Sequence, residues 1–187
     1  DYSEISGDFI AGQDVDDGGW AGSASPSQLT WTDIYIEDLT DLVFSVDIAS
    51  DGAGFMDASD AFLIEYRIDG GSWTNLMAFN NEGTGVNTYF LRDHDFNGTG
   101  TGALLYSKFQ TFYTSISSTG SAMDIRLTMS INAGGEDIAV DNLYLRGQHN
   151  GLVFSENAWT PNQPNSSTGT LDVLILDDGA QITADAE

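Results

Sequence analysis

"DIRLTMSI", residues 124–131, alternates without a break: Ile125, Leu127, Met129 and Ile131 on one side, Asp124, Arg126, Thr128 and Ser130 on the other. Side chains of a strand point by turns to its two faces, so this octet is a strand with one face in a core and one in water. On a helix the same four apolar residues would be scattered around the axis rather than gathered into a stripe. The pattern recurs. "LVFSVDI" (42–48) puts Leu42, Phe44, Val46 and Ile48 on one face, and "FLIEYRI" (62–68) sets Ile64, Tyr66 and Ile68 against Glu65 and Arg67. Between the runs lie glycine-rich turns: "DGAG" (51–54), "DGGSW" (69–73), "NNEGTG" (80–85), "STGS" (118–121) and "NAGGED" (132–137). Asp69-Gly70 is a strong hairpin signal, because Asp and Gly tolerate the positive φ that tight hairpins need. Many short strands, frequent turns and only three prolines predict an all-β antiparallel β-sandwich or jelly roll.

In "IAVDNLYL" (138–145) the apolar positions are Ile138 and Val140, then Leu143 and Leu145. The parity changes at Asp141-Asn142, which predicts a β-bulge. After Arg146-Gly147 the texture shifts to a loop-like stretch with two of the three prolines. It is followed by "LDVLIL" (171–176), beginning at Leu171, with Val173 and Ile175 on one face and Leu174 and Leu176 on the other. A strand apolar on both faces must be covered on both. About 40 residues cannot build a core of their own. The reading is therefore a sandwich module over 1–147, then a linker and extension strand over 148–187. That strand docks on its own module or adds to another molecule, and head-to-tail addition between copies makes filaments.

Twenty-nine acids against five bases give a net charge of −24. Such a surface repels phosphate backbones and anionic lipid, which argues against nucleic-acid and membrane-surface partners. It attracts divalent cations, or suits a high-salt medium. With no cysteine, disulfides and zinc–thiolate sites are excluded. No apolar run approaches the roughly 20 residues of a membrane-spanning helix. The expectation is an extracellular or cell-surface protein in mature form.

"RDHDFNGTGTG" (92–102) contains D-x-D-x-N-G, the opening of a calcium loop. Position 12 counted from Asp93 is Leu104, not glutamate, so this is no EF-hand. Asp93, Asp95 and Asn97 can still offer side-chain oxygens and Thr99 a carbonyl. Calcium takes 6–8 oxygens, so further ligands must come from elsewhere. The competing reading is a turn whose Asp and Asn bond their own backbone. A second acidic set joins Asp14, Asp16 and Asp17 to Glu136, Asp137 and Asp141, and a weaker third comprises Asp51, Asp57 and Asp60. Carboxylates packed together without a cation raise one another's pKa at a cost in stability.

"FIAGQDVDDGG", "LTDLVFSVDIASDG", "DASDAFLIEYRIDGGSW", "DHDFNGTGTG" and "SAMDIRLTMSINAGGEDIAVDNLYLRG" together resemble a jelly-roll module of secreted multidomain proteins and adhesins from Bacteroidota-type and marine bacteria. The resemblance spans roughly residues 8–147 and extends to MAM domains and jelly-roll carbohydrate-binding modules. It implies that the first and last strands are neighbours pinned by calcium, with Asp14 and Asp141 as leading ligands. Its function is open, because such modules accompany enzymes and adhesins alike.

Among 29 carboxylates, pairs suited to glycoside hydrolysis arise by chance. His94 and His149 lack a recognisable nucleophile, and no phosphate loop, nucleophile elbow or H-E-x-x-H occurs. The expectation is a non-catalytic structural or interaction subunit, stabilised by Ca²⁺ and partnered by copies of itself or neighbouring surface modules. The alternative is a polysaccharide-binding module using Trp20 and Trp73, both next to turns, as ring platforms; Trp31 alternates with Leu29 and reads as core.

Overall fold

Alternation becomes two antiparallel sheets packed face to face. The computed structural model describes residues 2–3, 7–15, 26–50, 54–83 and 87–149, with the backbone of 170–176 and 179–184. One sheet runs β2 (Ser27–Tyr35), β8 (Ala122–Ser130), β4 (Ala61–Ile68), β5 (Thr74–Asn80), β6 (Leu91–Asp93). The other runs β11 (Gly179–Ala184), β10 (Thr170–Leu176), β9 (Asp137–His149), β3 (Leu39–Ala49), β7 (Gln110–Ile116), with β1 (Ile10–Gln13) also on β9.

The core lies between them. Ile125, Leu127, Met129 and Ile131 meet Phe62 and Ile64 from one sheet and Leu42, Phe44, Val46 and Ile48 from the other, all buried. Phe79 stacks on Phe62 and meets Phe112 across the interface edge to face, centroids 4.9 Å apart. Each such side chain contributes on the order of 1.5–3 kcal/mol when fully buried. Trp31 packs against this core, whereas Leu29 is exposed.

The turn chemistry also follows the sequence. Asp69 (φ 49°) and Gly70 (φ 70°) both take positive φ, and the Gly71 amide donates to the Ile68 carbonyl at 2.8 Å, closing a type I′ turn. The Asp69 carboxylate then accepts the amides of Ser121 and Ala122, tying this hairpin to the β7–β8 connection.

The parity break in β9 is a bulge. Ser45 pairs with Tyr144 and Asp47 with Asp141, so Asn142 and Leu143 together face one residue, Val46. Asn142 takes φ 48° and its amide donates to Asp47 at 2.8 Å. The slip returns Leu143 and Leu145 to the core side after Val140. It also divides the free edge of β9. β1 pairs with Asp137–Val140 on one side of the bulge, and β10 pairs with Tyr144–Gln148 on the other. The first strand is thus a neighbour of the last core strand, and the tail strand docks on its own module, with β11 paired outside it.

Candidate metal centre

Two turns at one end of the sandwich are closed in the same way, each by an acid that folds back on the amides at its start. In the β3–β4 connection the Asp60 amide donates to the Asp57 carbonyl at 3.3 Å, and Asp60 Oδ2 accepts the Asp57 amide at 2.5 Å. Asp57 Oδ1 in turn accepts the amide and hydroxyl of Ser59. In the β8–β9 connection the Glu136 amide donates to the Ala133 carbonyl, and Glu136 Oε2 accepts the amides of Asn132 (2.6 Å) and Ala133 (2.8 Å). Asp and Glu suit these places because carboxylate oxygens satisfy amides that a turn leaves without partners. Asn132 bridges the turns by donating to the Ser59 hydroxyl at 3.3 Å.

Both closures bring the carboxylates together. Asp57, Asp60 and Glu136 each present an oxygen within 4.8 Å of the other two, the full span across one calcium ion with bonds of about 2.4 Å. Asp60 is 2 % exposed and Glu136 likewise 2 %. Among the described residues, none donates a hydrogen bond to the buried Asp60 Oδ1. A buried acceptor left unmade costs about 1–3 kcal/mol, more if charged, so its place beside two further carboxylates calls for a cation or a proton.

The electrostatics agree. Burial pushes the Asp60 carboxyl up to about 7, the Asp57 amide pulls it down, and the charges of Glu136 and Asp57 push it up again. Asp57, at the rim, is held below the usual carboxylate range by the Ser59 hydroxyl and amide. Without an ion, Asp60 therefore holds its proton through mildly acidic pH and gives it up around neutrality. A hard divalent cation could take the place of that proton, with three carboxylates leaving room for water or carbonyls to complete 6–8 oxygens.

The residues expected from sequence are placed differently. Glu136 is in the centre, but Asp137 and Asp141 are not part of it. Between Asp137 and Asp141 the buried residues are Ile138, Ala139 and Val140, while Asp137 accepts the Tyr2 hydroxyl and Asp141 faces Asp47 across the ladder. Asp14 sits at the end of β1 with φ 52° and lies outside the group. Asp16, Asp17, Asp51 and Trp20 lie outside the described residues, as do the side chains of Leu171, Val173, Leu174, Ile175 and Leu176, whose backbone forms β10.

The 93–99 loop spends its oxygens locally. Buried Asp93 accepts the amides of Asp95 and Gly98, Asn97 donates to Asp95 and accepts the Thr99 amide. Burial alone would raise the Asp93 carboxyl, but the Gly98 amide and its neighbours outweigh it and hold it low. Gly98 takes φ 85°, the conformation for which the N-G pair was read.

Trp73 has its ring against two guanidinium groups, Arg126 at 4.2 Å and Arg67 at 4.7 Å from the centroid. Those arginines are in turn paired with Glu65 and Asp124 at 2.5 and 2.7 Å. The indole thus covers an ionic ladder on the outer face of β4 and β8.

The sequence held a signal for this carboxylate cluster. "MDASD" and "NAGGE" (132–136) both end a short turn with an acid that immediately precedes a strand, which is where a carboxylate folds back. What joined them was long-range pairing of β4 with β8, set by register rather than by any local motif. No family model and no curated protein matches this chain.

Proposed function

We propose that the protein is a non-catalytic, extracellular β-sandwich module whose turns are locked by calcium and which joins copies of itself or neighbouring modules by strand addition. The observation that carries this reading is the triad of Asp57, Asp60 and Glu136 with its buried, donor-less oxygen. An all-oxygen, carboxylate-rich set favours calcium over zinc, which prefers nitrogen and sulfur. Calcium at this point would clamp the β3–β4 and β8–β9 connections, and so both sheets, without doing chemistry. The D-x-D-x-N-G loop would hold a second cation only by giving up the bonds from its own amides.

Assembly would use the edge of β9 at Tyr144–Gln148, which β10 occupies within one chain. Residues 150–169 separate the two strands and, extended, reach roughly 66–72 Å. A strand on such a tether can be exchanged with the same edge of a neighbour, giving an open chain of modules.

Calorimetric titration of calcium into metal-stripped protein tests the centre. A saturable event in the wild type that is absent from Glu136→Gln supports the reading. Equal heats in both, or none in the wild type, would sink it. Negative-stain images of the full chain with calcium, against a chain ending at residue 149, test assembly.

A further inference from the structure

Arg92 is out of place in a chain with five bases and 29 acids. Arg67 and Arg126 have carboxylate partners, yet among the described residues the Arg92 guanidinium has no ion-pair or hydrogen-bond partner, and its buried Nε is without an acceptor. The residue is not loose. Its amide donates to the Ala103 carbonyl and its carbonyl accepts the amides of Thr101 and Gly102. Its guanidinium rests against the rings of Phe79 and Phe112, 5.7 Å from each centroid, so the core holds its apolar side in place.

The polar side faces an open cleft of about 300 Å³ between the β5–β6 edge of one sheet and β7 of the other. Asn75, His94, Thr114, Ser115 and Ser117 line it with Arg92. Along β7, Phe112 and Ile116 fill the core, and the position between them is Thr114, only partly buried. A hydroxyl there, where alternation calls for a large apolar residue, leaves the cleft open and polar. Asp93 also borders it, but both its oxygens already accept amides of its own loop.

One fixed, unpaired cation surrounded by hydroxyl, amide and imidazole groups describes its complement: a single anionic group on a scaffold carrying hydroxyls. The volume is at the small end for ligand pockets and matches one ring rather than several. We propose that this cleft binds a hydroxylated monocarboxylate about the size of one sugar ring, its carboxylate on Arg92 and its hydroxyls on the serine, threonine and asparagine side chains. A planar guanidinium fork matches a carboxylate with two parallel bonds. An acidic side chain from a second copy would supply the charge but not the hydroxyls. The site is independent of the Asp57–Asp60–Glu136 triad, since it shares no residue with it.

The protein's charge of −24 repels any anion at long range, so binding rests on short-range contact. The titration therefore belongs in about 0.5 M salt, where the screening length is roughly 4 Å. Amide resonances of the full chain would be followed with glucuronate, and with glucose as its neutral counterpart. Glucuronate should give saturable shifts around Arg92 and Thr114–Ser117, with glucose at least tenfold weaker. Arg92→Met should lose at least tenfold in affinity. Ser117→Phe, which narrows the cleft while keeping Arg92, should do the same and decides the matter if Arg92→Met fails to fold. Equal binding of the two sugars, glucuronate shifts that survive both variants, or no saturation by about 50 mM would overturn the proposal. So would self-association that Arg92→Met abolishes, which would assign the guanidinium to a second copy.

Discussion

Replacing Asp60 by Asn separates a cation centre from an ordinary cluster of turn-capping acids. In the ion-free protein the Asp60 carboxyl is pushed up to about 7 from an ordinary 3.8. Between those values the native state holds a proton that the unfolded state has released, so stability falls as pH rises from about 4 to 7 and levels off above. At about 1.4 kcal/mol per pH unit, the ionised cluster at pH 8 is destabilised by up to about 4 kcal/mol. Asparagine keeps an oxygen for the Asp57 amide, carries no charge and offers an amide to Glu136. In chelator at pH 8, Asp60→Asn should therefore melt higher than the wild type. At about 2–4 °C per kcal/mol the limit is roughly 8–16 °C. At pH 5 the gap should shrink to about 1.6 kcal/mol, roughly 3–7 °C, because only the first part of that window has been crossed. Calcium reverses the order of benefit: at a thousandfold over its Kd it stabilises the wild type by about 4 kcal/mol, closing the gap, and leaves the variant nearly unmoved. Differential scanning calorimetry at the two pH values, with and without calcium, reads all four states. A variant that is destabilised in chelator at pH 8, or that gains as much from calcium as the wild type, would refute the reasoning.

Other substitutions probe the frame around the centre. Asp93→Ala strips the caps from the Asp95 and Gly98 amides and should cost on the order of 1–3 kcal/mol in urea unfolding. Because the Asp93 pKa is lowered in the fold, its contribution is present above about pH 4 and fades as pH falls through the folded value; a loss that persists unchanged at pH 2 would contradict it. Trp73→Ala should cost about 1–3 kcal/mol by uncovering Arg67 and Arg126, whereas a free binding platform would be replaced without loss of stability. Asn142→Val puts a β-branched residue at φ 48° and should cost about 1–3 kcal/mol, while Asn142→Gly should lose much less; equal melting temperatures for the two would refute a strained bulge.

Period-two alternation made the strands legible because burial on a sheet is decided one side chain at a time. Phe44, Ile64 and Ile125 could be assigned to the core without any knowledge of their partners. The bulge was legible for the same reason, since a slip of one residue must change the parity of the apolar set. The centre was only half legible. Grouping acids by nearness in sequence joined Glu136 to Asp137 and Asp141, yet the pleat sends neighbours apart. The turn geometry instead sends Glu136 across to a loop more than seventy residues earlier. The D-x-D-x-N-G loop shows the opposite ambiguity. Its spacing suits both an ion and a self-bonded turn, because the same oxygens serve either, and in the fold they accept the loop's own amides. Arg92 could not be recognised from sequence at all, since an unpaired arginine is defined by what fails to reach it.

The most direct test of the account is the melting temperature of the full wild-type chain at pH 8, measured in chelator and again after calcium is restored at constant ionic strength. Restoring calcium should raise it by about 5–15 °C, an effect lost in Glu136→Gln. Superimposed curves for the wild type would contradict it and leave Asp57, Asp60 and Glu136 as acids that only close turns.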